Sequence, residues 1–277
     1  MKHLLLIALL GCGASPRGDG LVDGSPHGSG DGGGSGSNSG SYSVYAHSDT
    51  VLYVVDVQSK ALNKIGPFNA PSNDVITDLA VAPDNTIYVI SNTAIYTADP
   101  NDGHVTKLGS LSACGSKGVA LTTTPDGKLW TGDFMGTLCQ IDTTQSPPVV
   151  LAPISMTSNM ALSGDFVAVA DGTVFGTAYK KSDAAGQGTQ NNNLLVKVDI
   201  PTGAVTMIGS TGFPKLFGVA FAAGQVFGFT HDGTGHVVTI DPASGVGTLF
   251  GTFMDPQTNA GISFAGAGVS SLVPIIE

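Results

Sequence analysis

Among side chains able to move a proton or hold a metal, this chain offers aspartate and little else. Its only glutamate is the terminal Glu277 and its only arginine is Arg17. Glycoside hydrolysis by a carboxylate pair would have to use two aspartates. Asp78, Asp133, Asp165 and Asp232 are available for that, but nothing in their spacing selects a pair. His231-Asp232-Gly233 reads either as an acid–base or metal-ligating pair or as a solvated turn. No His-x-x-x-His or clustered-cysteine spacing marks a transition-metal site, so no metal or cofactor is predicted and calcium alone is left open. Cys114 and Cys139 are either a disulfide of an oxidising compartment or two buried thiols.

The elements that must carry these residues are repeats. Val54-Val55-Asp56, Thr97-Ala98-Asp99, Gln140-Ile141-Asp142, Lys197-Val198-Asp199 and Thr239-Ile240-Asp241 each end an alternating stretch on an aspartate that opens a turn. Ten residues after each aspartate come Gly66, Gly109, Ala152, Gly209 and Gly251. The aspartates lie 43, 43, 57 and 42 residues apart, a spacing that holds four short strands, the size of one propeller blade. Turn pairs such as Asp126-Gly127 and Asp171-Gly172 introduce a second strand in each unit. The first unit lacks an innermost strand, and Gly261-Ile262-Ser263-Phe264 near the end is predicted to supply it. The expected fold is therefore all-β, a five-bladed β-propeller of four-stranded antiparallel blades closed by a composite N/C-terminal blade. Within blade four the inner strand is expected to begin at Met160 or Asp165, and residues 180–193 form an insertion.

Composition agrees with that architecture. Hydrophobic residues make up 42% and charged residues 12%, with 39 glycines, as befits many short strands joined by tight turns. A net charge of -10 argues against a binder that tracks nucleic-acid phosphates. Lys2 and His3 precede a seven-residue apolar run, Leu4 to Leu10, too short to span a bilayer but suited to a signal-peptide core. Residues 13–41 are almost devoid of apolar side chains and read as a flexible tether. The expected organisation is a leader at 1–11, an anchor and tether at 12–41, and a propeller at 42–277.

Two resemblances add to this reading. Leu9-Leu10-Gly11-Cys12 resembles the lipobox of bacterial lipoproteins, which implies acylation of Cys12 and an envelope location, with Gly13 pointing to the outer membrane. Asp199-Ile200-Pro201-Thr202-Gly203 through Gly209, and Asp241-Pro242 through Gly251, are similar to the repeats of bacterial YVTN/NHL-like propellers. That superfamily hosts hydrolases, lyases, lectins and scaffolds, so the resemblance implies fold, not activity. Sialidase-like propellers need an arginine cluster and gluconolactonase-like ones a glutamate metal ligand, and residues 42–276 contain neither residue type. The repeat map puts His47, Asp49, Asn92, Asp133, Lys180, Asp183, His231 and Asp232 on one face, together with the connecting residues Asn73, Asp74, Lys117, Asn159, Lys215 and Asn259. That upper face is the candidate ligand site. The expected function is a monomeric, lipid-anchored module binding a glycan or an envelope protein; the competing expectation is an aspartate-dependent hydrolase or lyase acting on polysaccharide.

Overall fold

The computed structural model describes residues 43–71, 74–111, 114, 118–182 and 193–272. The leader, Cys12, the tether, Asn73, Lys117 and Asp183 lie outside the described residues. Every regular element among the described residues is a β-strand, and the strands form five antiparallel blades in a ring. Blade one combines Gly266–Gly268, innermost, with Ser43–His47, Val51–Asp56 and Ala61–Pro67. Blade two holds Ile76–Val81, Ile87–Ser91, Ala94–Ala98 and Val105–Ser110. Blade three runs Gly118–Thr123, Leu129–Asp133 and Thr137–Asp142. Its outer strand is split into Val149–Val150 and Ile154–Ser155, because Pro147, Pro148 and Pro153 cannot donate to the ladder. Blade four holds Met160–Ala168, Val174–Lys180, Leu194–Asp199 and Ala204–Ser210, and blade five Leu216–Ala222, Gln225–Thr230, His236–Ile240 and Gly247–Thr252.

The repeat aspartates cap the turns they open. Asp56 Oδ1 accepts from the Gln58 and Ser59 amides, Asp99 from Asn101, Asp142 from Thr144 and Asp241 from Ala243. The repeat glycines have a different cause. A methyl group on Gly66 would overlap the Asp102 carbonyl in the next blade, and one on Gly209 would overlap that of Ser244. Blades one and four thus seat the outer turn of the next blade against bare backbone. Blade three, which has Ala152 at this position, makes its contact elsewhere: the Thr157 amide donates to Gly203 O of blade four at 2.9 Å.

Closure differs from expectation in one respect. Residues 261–264 are not the innermost strand; that strand is Gly266–Gly268, which pairs with Ser43–His47. Ile262 and Phe264 alternate like strand residues, but they are buried as a plug between blades five and one, where the Phe264 ring meets Tyr53 and Phe229 edge-on. The Gly-Ala-Gly stretch takes the axis because a side chain on Gly266 would overlap Asp78 Oδ1 and His47 Nε2. Blade four's inner strand spans both expected starting points, with an irregularity between Leu162 and Phe166.

Gly209→Ala is expected to lose about 1–3 kcal/mol by overpacking. Gly251→Ala, at the same repeat position but facing the Phe253 ring at 3.3 Å, should lose distinctly less. Chemical denaturation of the two variants checks the order.

Candidate functional site

At the axis each inner strand presents an edge that no further strand covers. The amides on that edge are out of water and need acceptors. Two carboxylates supply them. Asp78 Oδ1 accepts from its own neighbour Leu79 at 2.8 Å, and Oδ2 from Leu121 of blade three at 2.6 Å. Asp165 Oδ1 accepts from Phe166 at 2.6 Å, and Oδ2 from Val219 of blade five at 2.9 Å. Leu121 N also reaches Asp165 Oδ1 at 3.4 Å. Both aspartates are fully buried, and their carboxyls are close enough to influence each other directly.

Strand register explains why there is room. Asp78, Ala120 and Gly218 occupy the same step of their strands, each paired just after an irregularity with the second strand of its blade. In blade three this level is held by Ala120, two residues past Gly118. Ala120, Gly218 and Gly266 are small enough to leave the axis to the two carboxyls.

Burial raises the pKa of both acids. Asp78 is pushed well up by desolvation, then by the neighbouring Asp165 charge. Asp165 is pushed up by desolvation to about 8, against the hydrogen bonds it accepts. A proton shared by the pair relieves the repulsion that two adjacent carboxylates would suffer. Beside them His47 is fully buried, and burial lowers its pKa to about 4. His47 Nδ1 donates to Ser48 O at 2.8 Å, which leaves Nε2 as an acceptor with no partner among the described residues, close to Gly266.

One step toward the upper face, Thr77, Val119, Gly164, Phe217 and Ala265, one residue from each blade's axial segment, ring the floor of a funnel of about 250 Å³. Asp49, Val75, Asn92, Phe134 and His231 also line it. Phe217 is half-buried, stacks on His231 at 4.7 Å and leans against Phe134 at 6.2 Å. His231 Nδ1 faces Phe264 O and Ser263 Oγ, both at 3.2 Å.

Of the upper-face residues named from the sequence, Asp49, Asn92 and His231 line this funnel. Asp133 and Asp232 are engaged elsewhere. Asp133 is buried and accepts from the Met135 and Thr137 amides, and Asp232 is engaged by Thr230 and Thr234. Lys180 is exposed at the end of its strand and does not line the funnel. His47 lies beneath the surface instead of on it. Cys114 and Cys139 are joined by a disulfide that ties the segment entering blade three to its third strand. Phe217 and Phe134 were not singled out from the sequence. The available signal was an aromatic residue just ahead of Gly218, where blades two and three carry Thr77 and Val119.

A larger hollow of about 400 Å³ opens on the opposite face over Trp130. Its aspartates are committed to their own turns, Asp126 to Lys128, Asp171 to Thr173 and Asp199 to Thr202, so the funnel is the better-equipped site. Among the described residues, no group of three or more His, Cys, Asp or Glu side chains converges as a metal cage.

No family model matches the chain, and no curated protein matches it. Among solved structures, a chain of the Nidogen/Laminin complex aligns over 82% of this chain and 97% of its own length, with 11% identity and a TM-score of 0.53. That likeness shows the propeller fold alone. Myxococcus xanthus glutaminyl cyclase matches at 13% identity and a TM-score of 0.44, over 82% of this chain and 75% of its own. Staphylococcus aureus virginiamycin B lyase matches at 13% and 0.41, over 76% and 65%. Nothing about activity is carried over from either.

The axial pair makes stability depend on pH. Between pH 6.5 and 8 the folded chain keeps a proton that unfolded aspartates, with pKa near ~3.9, have released. The folded state then binds more protons, so stability falls as pH rises, by about 1.4 kcal/mol per pH unit per retained proton. His47 acts in the opposite sense, but only below about pH 6.5, where unfolded imidazole is charged and the buried one is not. Calorimetric melting of the wild type is expected to give a lower Tm at pH 8 than at pH 6.5, with a smaller difference in Asp78→Asn. An unchanged difference in the variant would contradict the assignment.

Proposed function

We propose that this chain is a non-catalytic binding module whose propeller seats its ligand in the axial funnel, held at the cell envelope through a lipid on Cys12 and the tether that follows. One observation carries the choice of binding over catalysis. The buried carboxylates that could have done acid–base work, Asp78 and Asp165, are sealed below the funnel floor, with their oxygens occupied by backbone amides. Asp133 and Asp232 are consumed in turns. Among the described residues, Asp49 is then the one carboxylate lining the funnel, and a carboxylate-pair hydrolysis needs two flanking the scissile bond. What remains is an apolar and aromatic floor with a few polar groups around it, the usual composition of a recognition pocket.

The raised pKa values of Asp78 and Asp165 are the observation that favours the hydrolase or lyase alternative, because perturbed acids cluster at reactive centres. Burial at the axis, and for Asp78 the adjacent Asp165 charge, accounts for the same values without a substrate.

An array of glycans and envelope-derived peptides, probed with the full chain with and without calcium, tests this reading. Saturable binding that falls at least tenfold in Phe217→Ala supports it. Binding untouched by Phe217→Ala places the site elsewhere. Turnover of an arrayed glycan that is lost in Asp165→Asn would favour the hydrolase.

A further inference from the structure

We infer that the funnel selects an organic ammonium: a protonated amine attached to an apolar body about the size of one ring. The inference rests on the funnel reading above and adds the chemistry of the occupant.

The polar groups in the funnel wall are biased toward accepting hydrogen bonds. Asp49 lines the wall, is exposed, and takes no hydrogen bond from a described residue. Thr77 spends its hydroxyl proton on Gly118 O at 2.8 Å, which leaves only lone pairs for a ligand. His231 presents Nδ1 to the Phe264 carbonyl, an oxygen that can only accept, so a hydrogen sits on Nδ1 and is spent on that carbonyl. Asn92 offers both kinds of group. Among the described residues that line the funnel there is no lysine or arginine. A donor-rich cation complements this wall, whereas a carboxylate or phosphate would meet acceptors and an uncompensated Asp49.

The apolar part of the wall points the same way. Phe217 and Phe134 offer ring surface to which cations are attracted, and Val75 and Val119 supply aliphatic surface. The volume of about 250 Å³ is below the roughly 300–1,000 Å³ of pockets that take drug-sized ligands. A single ring with a short aminoalkyl arm fits that scale. The net charge of -10 draws cations toward the molecule at long range.

Three probes of one shape separate charge from shape: phenethylamine, 2-phenylethanol and phenylacetate, each titrated calorimetrically into the full chain at pH 7. A fourth arm uses a dipeptide amide with an N-terminal phenylalanine, to tell a free amine from a chain terminus. The amine is expected to bind at least tenfold more tightly than the alcohol, with phenylacetate weakest. Asp49→Asn should bring the amine to the level of the alcohol, and Phe217→Ala should weaken amine and alcohol together. If the dipeptide matches phenethylamine, the same chemistry extends to peptide termini; if it binds at least tenfold more weakly, the inference holds for free amines alone. Equal affinity for the three small probes, lost in Phe217→Ala, would keep the funnel as the binding site and overturn the ammonium preference. Absence of saturable binding by phenethylamine would overturn the inference, leaving the array to decide the funnel reading independently.

Discussion

A propeller brings the innermost strands of all its blades to one axis, and there each sheet runs out of partners. Ring closure removes the edges that would face solvent, but it creates edges that face inward, where water is excluded and every amide needs an acceptor. Here two side chains meet that requirement. Asp78 and Asp165 each accept one amide from their own strand and one from the next blade. Together they fasten blades two, three, four and five to one another. The cost is desolvation of two acids at close quarters, and sharing a proton reduces it. Threonines extend the same stitching: Thr123 Oγ1 donates to Val81 O, Thr77 Oγ1 to Gly118 O and Thr177 Oγ1 to Leu216 O, each across a blade boundary.

The funnel follows from that arrangement. Because the carboxyls fill one level of the axis, the level above it becomes a floor, and its character is set by one residue from each blade. Four of the five, Thr77, Val119, Gly164 and Ala265, are modest in size, whereas Phe217 projects an aromatic face that His231 supports. The loops above are also anchored. The Cys114–Cys139 disulfide pins the approach to blade three, and Asp74 beside blade two is bonded to Tyr96 and Thr93. A recognition surface built this way is pre-organised, which limits the ordering cost of binding.

Much of this was legible in the sequence because the signals were local. A repeat aspartate and the turn it caps are two residues apart, and Gly66 and Gly209 each report one close backbone contact, so spacing alone exposed five blades. The axial pair was not legible. Asp78 and Asp165 were both visible as candidates, but their partnership depends on two strands meeting around an axis, and no sequence interval encodes that. Irregularities in the inner strands add to the difficulty. In blades two, three and five they fall at the same step, which puts the axial level of blade three at Ala120, two residues past Gly118. The closing strand was misplaced for a related reason. Ile262 and Phe264 carry the apolar alternation of a strand, while the true strand, Gly266–Gly268, lacks such alternation because the crowded axis allows it no bulk. His47 illustrates the last limit: its place in a loop-proximal His-Ser-Asp triplet suggested exposure, yet it is the last residue of its strand and points inward.

The central claim is that Asp78 and Asp165 share a proton at neutral pH while holding the inner strands together. Carbon-13 NMR of the aspartate side-chain carboxyls, followed from pH 3 to pH 9 with Asp78→Asn and Asp165→Asn spectra for assignment, addresses it directly. The account predicts that the two resonances titrate together and that the pair retains a proton at pH 7, well after the turn-capping aspartates have ionised. Two carboxyls that both complete their titration near pH 4, independently of each other, would contradict it.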